Sequence, residues 1–324
     1  MNRIDDTNKI KKEIPVVIAF DENYITPACV MLSSLFLNAG KWTTYKVFIF
    51  SEARVRSIAQ SKVSIISGLY PNHVIEWFNP NTDFDGAKNR KHLTNPNYYR
   101  FLIPSFLPDY EKIIWIDVDT LIRGDLVELY ETNLSDHLLG AVRIGLESAG
   151  VNEITSDDYF NAGVLLIHNQ LWIREKIVEK LKKLIFSHHF KCPTQDPLNI
   201  ICHGRTLHLG TNFNTLVFGN AKKENIQKYI LRHGYTSFDE MKEDATILHY
   251  VGEYKPWNYA KCYGAEEWMQ YHKMLPLSEF PVSYLHKGRT IALFKTMIRL
   301  LSLVIPVKQW RRSFRDYCIE KIHL

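Results

Sequence analysis

Short apolar runs alternating with amphipathic stretches set the rhythm of most of the chain. Residues 15–20 (PVVIAF) predict a strand, and residues 24–40 a helix with Pro27 in its first turn and Gly40 past its end. Strands at 45–50 and 73–78 flank an amphipathic helix at 53–67. A polar loop leads to a short helix at 98–107 and to a buried-looking strand at 112–117 (KIIWID). Beyond it the pattern predicts a strand at 159–168, a helix with a basic face at 170–186, a short helix at 195–203 and a late strand at 245–251. Strands that alternate with helices predict an α/β fold, with a mostly parallel sheet covered by helices.

Composition changes this picture in two places. The net charge of +5 is concentrated: residues 287–324 hold nine Lys/Arg against two acids, Asp316 and Glu320, which leaves the rest of the chain slightly acidic. The five cysteines are scattered and form no CxxC pair, so a disulfide scaffold or a structural zinc site is not expected and a reducing compartment fits. The opening MNRIDDTNKIKKE has no apolar segment of the kind that leads a chain out of the cell. The longest uncharged apolar run near the tail, residues 300–307, is well short of the roughly 20 residues a spanning helix needs.

The chemistry begins where the strand at 112–117 runs into paired charge. Asp117 and Asp119 are two residues apart, so in extended chain they project to one side. In open α/β sheets ligands sit beyond the carboxyl ends of strands. Two carboxylates placed there repel unless a cation lies between them, and hard divalent cations share oxygen ligands with phosphates. The pair by itself equally fits a strand-end turn, with Thr120 and Gly124 as turn residues. It also resembles the first motif of haloacid-dehalogenase-like phosphatases. That motif usually has a Gly before the Thr and opens its domain, neither of which holds here.

Five segments together resemble glycosyltransferase family 8, the retaining nucleotide-sugar transferases with a GT-A fold, and above all the bacterial enzymes that build lipooligosaccharide or lipopolysaccharide. In "IAFDENY", Ala19, Phe20, Asp21, Asn23 and Tyr24 match the loop that holds the donor's uracil and ribose. In "NYYRFLIP", Arg100 matches the arginine that reaches the diphosphate and sugar. The resemblance gives Asp117-Val118-Asp119 as the metal motif, and Asn161, Ala162 and Gly163 of "YFNAGVLLIH" as the stretch beside the donor sugar. In "ILHYVGEYKPW", His249 matches the third metal ligand, and Gly252 and Lys255 the residues at the diphosphate. The segment "PTQDPLN" matches as well, with Gln195, Asp196 and Asn199 in place, but Thr194 stands where the family commonly has an Asp that contacts sugar hydroxyls. That departure bears on which hexose is held.

The resemblance implies a GT-A catalytic domain at 1–275, with a Rossmann-like central sheet, and a basic amphipathic helical extension at 276–324. It implies transfer of galactose or glucose from a UDP-hexose to a hydroxyl of a glycan or lipid-linked saccharide, with Mn²⁺, or alternatively Mg²⁺, at Asp117, Asp119 and His249. Gln195, Asp196 and Arg100 are the expected catalytic residues. The tail mixes apolar residues, Trp310 and cations as an interfacial helix does, so an anionic membrane surface is an expected partner. The expected location is cytoplasmic, at the inner face of the cell membrane. No nucleic-acid-binding module accompanies the basic stripe. A phosphatase and a non-catalytic nucleotide-sugar-binding protein are the rival readings.

Overall fold

The computed structural model describes residues 11–80, 95–145, 151, 154–155, 157–219, 223–282, 297–302, 305, 310–311 and 314. The chain divides into two units, Met1–Pro256 with Lys261–Pro281, and Trp257–Ala260 with Val282–Leu324. In the first unit β1 (Lys12–Ala19), α1 (Ile25–Leu37), β2 (Thr43–Phe50), α2 (Ala53–Leu69) and β3 (His73–Phe78) follow one another. A 3₁₀ stretch at Asn95–Leu102 and α3 (Ile103–Phe106) lead into β4 (Lys112–Ile116). Next come β5 (Thr120–Ile122), α4 (Val127–Glu131), β6 (Leu139–Arg143), β7 (Phe160–His168), α5 (Asn169–Arg174), α6 (Ile177–Ser187) and α7 (Asp196–Ile201). The remaining elements are β8 (Thr206–His208), β9 (Thr215–Phe218), α8 (Lys223–Arg232), α9 (Phe238–Asp244), β10 (Ile247–Val251) and α10 (Ala265–Lys273).

Seven strands form the main sheet in the order β3-β2-β1-β4-β7-β6-β8, and β5-β10-β9 form a smaller one. β1, β2, β3 and β4 run parallel, whereas β7 is antiparallel to both β4 and β6. The sheet is therefore mostly parallel, as the pattern predicts, with one reversed strand. That reversal brings the start of β7 to the edge where β1, β4 and β6 end, which is where ligands bind in such sheets. Strands β1 and β4 are apolar on both faces because both are covered, and Ile113, Ile114, Trp115 and Ile116 are almost wholly buried. Aromatic side chains fill one face of the sheet, with Phe48, Phe50, Trp115, Phe160 and Trp172 in a single core cluster. Along α2, Val55, Ala59, Val63 and Ile66 recur at helical spacing and are buried, while the residues between them face outward.

The single helix expected at 170–186 is two helices. Lys176 breaks it in the left-handed conformation (φ 54°). The first piece is anchored independently of the second: the Asn169 side chain donates to the carbonyls of Leu107 and Tyr110, and Trp172 Nε1 donates to the Leu138 carbonyl. The short strands β5, β6, β8 and β9 carry too few residues for a period to register in the sequence.

Among the described residues no helix is long and apolar enough to cross a membrane. Most of the expected extension at 276–324 lies outside the described residues. Of the second unit, residues 297–302 are helical, with Leu300, Leu301 and Trp310 exposed.

Candidate active site

The site grows from the end of β4. Asp117 is the first residue past the strand, and its N–H donates to the Gly163 carbonyl of β7 at 2.7 Å. Thr120 Oγ1 donates back to the Asp117 carbonyl at 2.8 Å, which closes the tight turn into β5. Val118 is buried at 5% exposure between Asp117 and Asp119, and it is this turn, not the alternation of an extended strand, that brings the two carboxylates together. The ladder between β5 and β10 pairs Thr120 with His249, and Tyr250 N–H donates to the Asp119 carbonyl. Residues 130 positions apart in the chain thus meet through a short antiparallel pairing. Asp117, Asp119 and His249 each offer one ligand atom, and these atoms lie within 4.8 Å of one another.

Basic and polar groups surround the carboxylates. Arg100 is buried beside Asp117, with Nη2 3.0 Å from Oδ1, and its guanidinium stacks over the Trp115 ring at 4.7 Å. Its Nη1 donates to the Ala162 carbonyl and its Nε to the Asn97 carbonyl. Trp115 Nε1 donates to the same Asp117 oxygen at 2.8 Å. Lys255 Nζ lies 2.5 Å from Asp119 Oδ2 and also donates to the Tyr250 carbonyl. Burial pushes Asp117 above the usual carboxylate range, Arg100 opposes that shift and the Asp119 charge adds to it. Burial acts on Asp119 in the same direction, but Lys255 and His249 outweigh it and hold that carboxyl well below the usual range.

The donor set fits a divalent cation. His249 Nε2 stands 3.2 Å from Asp119 Oδ1. Nδ1 of the same ring lies 2.9 Å from Asn214 Oδ1, so Nε2 is the ring nitrogen turned toward the acid pair and available to a cation. Two carboxylates with one imidazole suit Mn²⁺ better than Ca²⁺.

The other expected residues gather round this centre. Tyr24 is held above its usual pKa by burial and, less, by the charges of Asp119, Asp21 and Asp117. Asp21 caps its own turn by accepting the Asn23 N–H at 2.9 Å, and Asn23 is exposed. Ala19 and Phe20 line the end of β1 as buried residues. At the start of β7, Gln195 Oε1 accepts the Ala162 N–H at 3.0 Å and Gln195 Nε2 donates to Tyr159 Oη. Asn199 clamps Phe160 through both its N–H and its carbonyl. Asp196, expected among the catalytic residues, has one oxygen on Tyr159 and the other on the Cys192 N–H, and is 3% exposed. Its carboxylate braces the turn that carries Gln195. Gly252 needs its positive φ of 86°, with no atom within 4 Å of a Cβ there, so the requirement is conformational.

Three contributors escaped the sequence. Trp115 was readable as the residue two before Asp117 on the same strand, hence on the same face. Asn214 and Tyr159 carry no local signal, since only the tertiary fold brings them to His249 and Gln195.

A sequence model described as Glycosyl transferase family 8 matches residues 15–261. General stress protein A of Bacillus subtilis is 24% identical over 253 residues, 75% of this chain and 87% of that protein. Lipopolysaccharide 1,3-galactosyltransferase of Salmonella typhimurium is 22% identical over 262 residues, 75% of this chain and 72% of that protein. Among solved structures, galactosyltransferase LgtC, crystallised with donor and acceptor sugar analogs, superposes with a TM-score of 0.60 at 23% identity and covers 81% of this chain and 96% of its own. That likeness identifies the fold as GT-A.

Proposed function

We propose, because the chain belongs to glycosyltransferase family 8, that it moves a hexose from a UDP-sugar to a hydroxyl of a glycan acceptor with retention of anomeric configuration. The convergence of Asp117 and Asp119 with His249, 130 residues further along the chain, onto one point carries the reading. A cation held there supplies Lewis-acid stabilisation of the charge that develops on departing UDP. The ammonium of Lys255 adds positive charge beside it, and Arg100 fixes both the Asp117 carboxylate and the Ala162 carbonyl, so the polar frame is preorganised. Tyr24, Asn23 and Asp21 hold the nucleoside end. Asn161 and Gln195 face the sugar, with Ala162 and Gly163 beside it and Gly252 at the diphosphate.

Among the described residues, the carboxylates placed at this centre are already committed, Asp117 and Asp119 to basic side chains and Asp196 to Tyr159. This favours displacement from the side of the leaving group, with the departing phosphate receiving the proton of the incoming hydroxyl, over a covalent enzyme intermediate. Galactose or glucose is the sugar on this reading, the galactosyltransferase among the relatives supporting the first, and a lipopolysaccharide or other surface glycan is the acceptor. Thr194, in the place of an Asp, removes one hydroxyl partner and bears on that choice. Exposed Leu300, Leu301 and Trp310 within a basic segment support attachment to an anionic membrane surface. Replacing these three by Ser should abolish flotation with anionic liposomes, and unchanged flotation would remove the membrane role.

A panel of UDP-sugars assayed for UDP formation with and without Mn²⁺ tests the reading. Mn²⁺-dependent UDP release from one hexose donor is expected. Phosphate release from simple phosphoesters would instead support the phosphatase, and binding of UDP without turnover on any donor would support a non-catalytic sugar-nucleotide protein.

A further inference from the structure

We infer that Asn214 is a positioning residue that ties the imidazole of His249 to the sugar-facing amide of Asn161, so that one buried side chain sets both. The inference rests on the reading of Asp117, Asp119 and His249 as a cation site. The direction of every hydrogen bond in the chain of contacts is fixed from the backbone. The Gly163 N–H can only donate, and it donates to Asn161 Oδ1 at 2.8 Å. The same oxygen lies 2.9 Å from Asn214 Nδ2, which therefore donates to it. That orientation turns Asn214 Oδ1 toward His249 Nδ1 at 2.9 Å, where it accepts. Nδ1 is then the nitrogen that donates, and Nε2 is left turned toward Asp119 as the nitrogen for the cation. Flipping the Asn214 amide would set its oxygen against Asn161 Oδ1, acceptor against acceptor, and lose that hydrogen bond.

Burial makes the arrangement stiff. Asn214 is 0% exposed and His249 4%. Asn214 ends the 3₁₀ turn Thr211–Asn214 that enters β9, and β9 pairs with β10 with Leu216 opposite His249. At the far end, Asn161 uses only its oxygen within the network. Its Nδ2 has no partner among the described residues and the residue is half-buried, so it remains as a donor for a hydroxyl. Cation affinity and sugar contact are coupled because the same amide supplies an acceptor to one and a donor to the other.

Two substitutions in the full chain separate the two ends. Asn214→Asp keeps an acceptor toward His249 but sets an oxygen against Asn161 Oδ1. Asn214→Leu removes both contacts at similar volume. Mn²⁺ affinity is read directly, without turnover, from the free-ion signal in electron paramagnetic resonance, and donor use from the KM of the UDP-hexose the wild type accepts. Asn214→Leu is expected to weaken Mn²⁺ binding about 10–100-fold. Asn214→Asp is expected to hold wild-type Mn²⁺ affinity or better while raising the donor KM about 10-fold, the worth of one lost hydrogen bond. If Asn214→Leu does not fold, the Asp variant alone decides, since its two readouts must move apart. Wild-type Mn²⁺ affinity in a folded Leu variant, or parallel changes of both readouts in the Asp variant, would overturn the positioning role. A wild-type protein that binds no Mn²⁺ removes the premise instead, and the first titration shows it.

Discussion

Gly163 shows how little room surrounds the imidazole. A Cβ at this position would lie 2.1 Å from His249 Cε1 and 2.9 Å from Asn161 Oδ1. Gly163→Ala is therefore expected to push His249 off its line and weaken Mn²⁺ binding about 10–100-fold, measured by titration of the folded variant. Asp119 is the other sensitive residue, because Lys255 at 5% exposure depends on it for its charge partner. Asp119→Asn removes that charge partner from a buried ammonium and is expected to cost about 3 kcal/mol of stability in chemical denaturation, in addition to abolishing metal-dependent UDP formation. At this scale the sequence was uneven as a guide. Asp117 and Asp119 stand out because charge follows an apolar run, although the pair by itself also fits a strand-end turn. A lone histidine at a strand end has many ordinary explanations, so His249 was legible only through the family resemblance. Asn214 was invisible, since nothing in "TNFNT" says that its amide will meet an imidazole 35 residues away.

Elements hold these residues in register. The turn after β5 is tied to the start of β2 by Asp125, whose carboxylate accepts from Gly40 N–H at 3.0 Å, Thr43 Oγ1 at 2.5 Å and Tyr45 Oη at 2.6 Å. Asp125→Ala leaves the hydroxyl of wholly buried Tyr45 without its acceptor, and a loss of about 2–3 kcal/mol is expected in thermal or urea unfolding. Because β5 pairs with β10, loosening this tie should also reduce metal affinity. Strands β1, β2, β4 and β7 were readable because each buries four or more consecutive apolar residues, whereas β3 is only partly buried along its length. The direction of β7 was not readable. An antiparallel strand buried on both faces has the same composition as a parallel one, and only the pairing of Trp115 with Leu165 and Ile116 with Val164 reveals the reversal. The break at Lys176 was hidden for a similar reason: both helical pieces carry apolar residues at helical spacing, and side-chain anchors on Asn169 and Trp172, not propensity, set the change of direction.

For the whole molecule, the buried thiols give a pH signature independent of catalysis. Burial pushes Cys29 and Cys202 up to about 12, with Lys62 and Arg205 opposing only weakly, against an ordinary value of 9.0. The unfolded chain loses these protons from about pH 9 while the folded chain keeps them, so their stabilising contribution is complete below pH 9 and is lost as pH rises toward 12. Unfolding free energy under reducing conditions should fall across that window, and replacing both cysteines by Ala should flatten the fall. The central claim is that Asp117, Asp119 and His249 bind one divalent cation that presents the diphosphate of a UDP-sugar. Its most direct test is a calorimetric titration of UDP into wild type and Asp119→Asn, each with Mn²⁺ and with a chelator. The site predicts UDP binding to the wild type that Mn²⁺ strengthens at least about 10-fold and that Asp119→Asn loses. UDP binding of equal strength in all four conditions would contradict it.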